Sequence, residues 1–141
     1  MDLAVKVLTA ALWLWFLGAI VTYRWGDKLL VEGVGVKSAE FIMLAMFSAG
    51  ALLALLRPRE GRWVLLAVLV LWLVVQFFCH WYYTIFGASP KKLEGYNRCF
   101  EGTLRLIPRS DVRLIPDLYH IVLHALILLD ILFLAASMLA D

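Results

Sequence analysis

Two histidines and two carboxylates lie in an apolar stretch close to the end of the chain, "PDLYHIVLHALILLD" (116–130). Ionisable side chains are costly in a membrane-spanning segment, so those that occur there usually pair with one another or serve a function. Successive residues of an α-helix advance by about 100°. Asp117, His120 and His124 are therefore expected to form one polar stripe, whereas Asp130 falls on another face.

The third histidine belongs to a similar stripe in the preceding apolar segment. Gln76, His80 and Tyr83 are spaced i, i+4, i+7, which predicts that they share a helical face. At a rise of about 1.5 Å per residue, His80 and His124 both lie roughly 9 to 11 Å below the same end of their helices. We expect the two stripes to face each other, with Glu40 joining them from the start of another helix.

Imidazole and carboxylate groups at one level can bind a small ligand or ion, ligate a metal, or hold a haem iron. The i, i+4 spacing of His120 and His124 recurs in metal sites, although the chain has no HExxH motif. The same side chains could instead only hold helices together. The predicted ligand-binding residues are Glu40, Gln76, His80, Tyr83, Asp117, His120 and His124, and the metal-ligand candidates are His80, His120 and His124.

Asp130 and the two cysteines raise separate questions. A protonatable carboxylate near the middle of a membrane segment suits proton coupling, and the alternative is a neutral carboxyl group that makes one hydrogen bond, with Ser48 or Gln76 as the expected neighbour. Cys79 and Cys99 are expected on the same side of the membrane. They could form a disulfide in an oxidising compartment or remain free thiols.

The elements that must position these residues follow from composition. Of 141 residues, 64% are hydrophobic and the mean hydropathy is +0.88, far above soluble domains. About 20 apolar residues cross a bilayer as a helix, and four such stretches are present, at about 3–22, 38–56, 63–86 and 117–140. The sequence predicts an all-α, integral membrane four-helix transmembrane bundle, with residues 1–141 as a single membrane domain.

The connections between these helices differ in length. We expect a short, partly helical connection at 23–37 and a tight reversal at "RPREGR" (57–62), where Pro58 and Gly61 permit the turn. A long loop between helices 3 and 4, at 87–116, is expected to lie over one end of the bundle. Short cytoplasmic loops are enriched in Lys and Arg. The side of the membrane opposite the termini has the larger number of these residues, whereas the dense group of three arginines at 57–62 favours cytoplasmic termini, and we give the density in this short loop more weight.

The leading hypothesis is a small multi-pass membrane protein that binds or transports a small ligand or ion. The alternatives are a metal- or haem-dependent membrane enzyme or electron carrier, and an accessory subunit that docks a partner through its long loop. The net charge of +2 gives no reason to expect nucleic acid. The bilayer is the expected partner, and the sequence does not decide whether the chain forms a homo-oligomer. Nucleophile motifs such as GxSxG are absent, so whether the protein is an enzyme stays undecided.

In helix count the chain resembles disulfide-forming quinone reductases and small multidrug carriers. It has neither the cysteine pairs of the first family nor the glutamate that the second carries within helix one. The resemblance therefore implies no site residues.

Overall fold

A computed structural model describes residues 1–140 of the chain. Four of its helices are long and apolar enough to cross a membrane: Leu3–Val21 (α1), Ala39–Leu56 (α2), Pro58–Phe86 and Leu118–Ala140 (α6). The third consists of α3 (Pro58–Gln76), a π-helical turn (Phe77–Trp81) and α4 (Tyr82–Phe86). A shorter helix, α5 (Pro90–Cys99), lies between the last two spans. The four predicted membrane-length helices are thus confirmed.

Local signals explain where these helices begin. Asp2 caps α1 by accepting a hydrogen bond from the Val5 backbone N–H at 2.9 Å, and Ser38 caps α2 in the same way. The third span begins at Pro58, five residues earlier than expected, because proline suits the first position of a helix, where no N–H is needed. The reversal predicted over six residues is therefore made by Arg57 alone.

The connection between α1 and α2 is a β-hairpin, so the expectation of partial helix was wrong. Strands β1 (Tyr23–Trp25) and β2 (Lys28–Val31) pair antiparallel across a turn at Gly26 and Asp27. Gly26 has φ of 58°, and two-residue hairpin turns require such positive φ values, which glycine adopts without strain.

The long connection between the last two spans is tied to the hairpin and to α6. Thr103 forms a parallel bridge with Leu29. The Leu104 N–H donates to the Leu29 carbonyl at 2.9 Å, and the Leu118 N–H donates to the Leu104 carbonyl at 2.9 Å. The hairpin and the long connection therefore cover the same end of the bundle, which is the end where α6 begins.

The spanning helices pack in the order α1, α2, α3, α6, and α6 returns to contact α1. Aromatic side chains fill the centre: Trp72 lies 4.3 Å from Phe16 and 5.6 Å from Phe47, measured between ring centroids. All three are buried. This apolar core closes the bundle below the hairpin-covered end.

The backbones of α2 and α3 lie very close together at Gly61. A Cβ atom placed on Gly61 would meet the carbonyl group of Leu53 and the backbone nitrogen of Ala54. Because these are backbone atoms, they cannot turn aside as a side chain could. The hydrogen atom of glycine therefore allows the tight antiparallel pairing of these two helices.

We predict that Gly61→Ala lowers the free energy of unfolding by about 1–3 kcal/mol, the usual cost of overpacking. The measurement is the thermal unfolding midpoint of the purified protein in detergent. Gly95→Ala is the matched control, because nothing lies within 4 Å of its added Cβ and alanine favours the interior of α5. Equal midpoints for the two variants would contradict the prediction.

Candidate functional site

The three histidines lie together at the hairpin-covered end of the bundle. Ring centroids are 4.5 Å apart for His80 and His120, 5.2 Å for His80 and His124, and 5.9 Å for His120 and His124. His80 belongs to the π-helical turn, and the other two belong to α6. The structure therefore brings the two histidine stripes into contact.

Asp117 orients His120 and caps α6 at the same time. Its Oδ1 atom accepts the backbone N–H of His120 at 3.0 Å and lies 2.7 Å from the Nδ1 atom of the ring. Burial alone would raise the pKa of Asp117, but the hydrogen bonds from His120 outweigh it and lower the pKa below 3.8. The carboxylate thus accepts a hydrogen bond from the N–H at Nδ1, and in that tautomer Nε2 is the hydrogen-bond acceptor of the ring.

His80 is held by a residue of α5. Its Nδ1 atom lies 2.6 Å from the hydroxyl oxygen of Tyr96. Burial raises the pKa of Tyr96, so the phenol keeps its proton. The pair anchors α5 over the histidine cluster and fixes the plane of the His80 ring.

Both ring nitrogens of His124 are occupied. The indole N–H of Trp81 donates to Nδ1 at 2.7 Å, and because an indole can only donate, Nδ1 carries no proton. The proton is therefore on Nε2, which donates to Oε1 of Gln76 at 3.0 Å. His124 joins α6 to the third span and has no nitrogen left for a ligand.

A cleft of about 410 Å³ opens beside the cluster, among all four spans and the hairpin. Trp72, His80 and Tyr119 are buried and form its floor, whereas Glu32 and Cys79 are exposed and lie at its mouth. We call it the histidine cleft. It is lined by Phe16, Ala19, Val31, Glu32, Val34, Ala39, Glu40, Met43, Trp72, Val75, Gln76, Cys79, His80, Phe100, Tyr119, His120 and Leu123.

Four of the predicted ligand-binding residues line this cleft: Glu40, Gln76, His80 and His120. Asp117 and His124 are not among its lining residues, but each orients a side chain of the lining. Sequence reasoning missed Glu32, which the hairpin places at the mouth, and Tyr96 and Trp81, which hold His80 and His124. For Trp81, the one signal in the sequence was its place in an aromatic, apolar segment, and this signal does not indicate a hydrogen bond to His124.

Tyr83 does not join the cluster, contrary to the expectation from its spacing. Its ring lies 4.3 Å from the Nζ atom of Lys92, outside the histidine cleft. The reason is the π-helical turn at Phe77–Trp81: an i→i+5 turn accommodates one more residue than an α turn. The residues that follow are rotated away from the face that a regular helix would give them.

Asp130 is a separate feature, as its position in the sequence indicated. It is fully buried, and both carboxyl oxygens lie 3.0 Å from the Thr9 hydroxyl. The expected neighbour Ser48 instead accepts a hydrogen bond from the Trp13 indole, and Gln76 pairs with His124. Asp130 therefore links α6 to α1 and does not line the histidine cleft. A role in proton coupling stays a prediction.

The cysteines are free thiols in the structure, and both are exposed. The sequence allowed either a disulfide or two free thiols, and the structure has two free thiols. Cys79 lies at the mouth of the histidine cleft and Cys99 ends α5.

Among residues 1–140, no group of three or more His, Cys, Asp or Glu side chains could hold a metal ion. The hydrogen bonds explain this result for the histidines, because His124 has both nitrogens engaged and the other two rings each have Nδ1 engaged. The three rings also contact one another directly, which leaves no gap for a haem macrocycle between them. The predicted metal or haem site thus gains no geometric support.

No known protein family, no curated protein and no solved structure matches the chain.

We predict that Asp117→Asn is destabilising at neutral pH and that its effect shrinks in acid. Because the folded state lowers the pKa of Asp117 below 3.8, the ionised carboxylate stabilises the fold above that pH. This contribution is lost as the pH falls further. Asparagine can still cap α6. The difference in stability between the wild type and Asp117→Asn therefore measures the contribution of the negative charge.

The measurement is the unfolding midpoint of both proteins in detergent between pH 7 and pH 3. Asp111→Asn, at an exposed position, is the control and should give a difference that does not change with pH. A constant difference between the wild type and Asp117→Asn would contradict the predicted role of the charge.

Proposed function

We propose that this protein is a membrane receptor or binding protein for a small organic cation, such as a protonated amine with an apolar body. The observation that supports this proposal is the charge of the histidine cleft: two carboxylates, Glu32 and Glu40, lie in its lining, and no lysine or arginine does. Opposite charge near an apolar cavity attracts a cation and disfavours an anion.

The walls of the cleft suit the apolar part of such a ligand. Phe16, Trp72, Phe100 and Tyr119 provide aromatic surface, and aromatic faces attract cations as well as apolar groups. A volume of about 410 Å³ lies within the usual range of small-molecule sites. The proposed ligand therefore combines one positive charge with a body of one or two rings.

His120 supplies the hydrogen-bond acceptor inside the cleft. With Nδ1 bound to Asp117, its Nε2 atom can accept an N–H of the ammonium group. An amine could thus donate to His120 while its charge is balanced by Glu40. The role proposed for Asp117 is to position the His120 ring.

We propose binding from one side of the membrane and not passage through the bundle. Trp72 at the floor of the cleft packs against Phe16, which also lines the cleft, and against Phe47, which does not. All three side chains are buried, so this aromatic core blocks a path for the ligand through the bundle. With the termini and Arg57 on the cytoplasmic side, the histidine cleft faces the opposite side.

We expect 4-phenylbutylamine to bind more tightly than 4-phenylbutanol, and the alcohol more tightly than 4-phenylbutyrate. These three probes differ in charge and share one apolar body. Affinity is measured by isothermal titration of the purified protein in detergent. Glu40→Gln should weaken binding of the amine by about 5- to 10-fold, the effect of losing roughly 1 kcal/mol of charge attraction, and should leave the alcohol unchanged.

Glu101→Gln is the matched control, because this carboxylate is exposed and is not a lining residue of the cleft. Equal affinity for amine and carboxylate, or an unchanged amine affinity in Glu40→Gln, would count against the proposal. A Soret band or a stoichiometric metal in the purified protein would instead favour the metal- or haem-dependent alternative.

The proposed orientation predicts that Cys99 reacts with a membrane-impermeant maleimide added outside intact cells. The test uses Cys79→Ser, in which Cys99 is the one remaining cysteine of the sequence. Because Cys99 is exposed at the end of α5, it should be labelled without permeabilisation. Labelling only after permeabilisation would show that the protein has the opposite orientation. The double variant Cys79→Ser/Cys99→Ser measures the background labelling.

A further inference from the structure

A second cavity lies at the opposite end of the bundle from the histidine cleft. It is a groove of about 550 Å³ on the outer surface, between the N-terminal half of α1 and the C-terminal half of α2. Its lining includes Lys6, Ala10, Trp13, Leu14, Ala51 and Leu55. The two alanines leave space in the lining of the groove, because their side chains are small.

The uncharged polar groups in the wall of this groove are already paired. The Trp13 indole donates to the Ser48 hydroxyl at 2.8 Å, and the Thr9 hydroxyl lies 3.0 Å from both carboxyl oxygens of Asp130. Lys6 differs from them: within residues 1–140 its ammonium group forms no ion pair. Asp2, one turn earlier, uses its carboxylate to cap the helix at Val5.

An unpaired ammonium group inside a membrane-spanning helix requires either water or an anion. Lys6 lies one turn inside α1, so a bilayer spanned by this helix would place Lys6 where lipid headgroups meet the acyl chains. Arg57 and Arg59 are exposed at the same end, where α2 stops and α3 begins, with Glu60 as the neighbouring carboxylate. The groove therefore combines an apolar lining with the positive charge of Lys6, and further cations lie at the same end of the bundle.

We propose that this groove binds an acidic phospholipid. One acyl chain lies along Ala10 and Ala51, and the phosphate group pairs with Lys6. The argument is charge complementarity: a zwitterionic lipid offers the same acyl chain without a net negative charge for the ammonium. The proposal is independent of the function proposed for the histidine cleft.

The test is lipid retention by the full chain, measured by native mass spectrometry after exposure to an equal mixture of phosphatidylglycerol and phosphatidylcholine with identical chains. The wild type should retain phosphatidylglycerol about 5-fold over phosphatidylcholine, the preference that one Lys near the headgroups provides. Lys6→Gln should abolish this preference. Lys37→Gln is the control, because this exposed lysine lies at the opposite end of α2 and should keep it.

A second variant, Ala51→Leu, fills the groove and should reduce retention of both lipids while Lys6 remains. Equal retention of the two lipids by the wild type, or an unchanged preference in Lys6→Gln, would overturn the proposal. So would a dimer of the wild type that Ala51→Leu dissociates, because the groove would then be an interface between copies of the chain.

Discussion

The polar side chains of α6 must be paired inside the protein, because a hydrocarbon environment offers them no partner. The Tyr119 hydroxyl donates to a backbone carbonyl of α1, and Asp130 binds the Thr9 hydroxyl of the same helix. His124 binds Gln76 of α3. These bonds fix the N-terminal half of α6 against both neighbours. The rest of the bundle, including the position of the histidine cleft, depends on that placement.

The π-helical turn at Phe77–Trp81 is the local irregularity that makes the site. It directs the Trp81 indole toward His124 and keeps His80 in the lining of the cleft, while Tyr83 is rotated outward. Single π turns inside longer helices are often found at functional sites. Here the turn allows neighbouring residues of one span to contact both sides of the histidine cluster. Tyr96 then closes the arrangement from α5.

The two ends of the bundle differ in charge, and this difference separates their proposed ligands. Glu32 and Glu40 lie at the mouth of the cleft at one end, whereas Lys6 lies on the groove at the other. The polar network at the cleft holds rings in fixed orientations, which lowers the entropy cost of binding a ligand there. At the groove, selectivity rests on the charge of Lys6 and on shape.

The amino-acid sequence alone predicts the four helices that are long and apolar enough to span a membrane, and it predicts that the histidines lie at one level. Length, apolar content and helical period are properties of each segment alone, so His80 and His124 could be placed at one level without knowing how the helices pack. The hairpin was predictable in principle, since Gly26 and Asp27 are typical turn residues. The packing of the helices places Glu32 and Tyr96 at the site and turns Tyr83 away from it. Packing also engages both ring nitrogens of His124. Those outcomes depend on contacts between residues distant in the chain and on a departure from the regular helical period, neither of which the spacing of residues within one helix records.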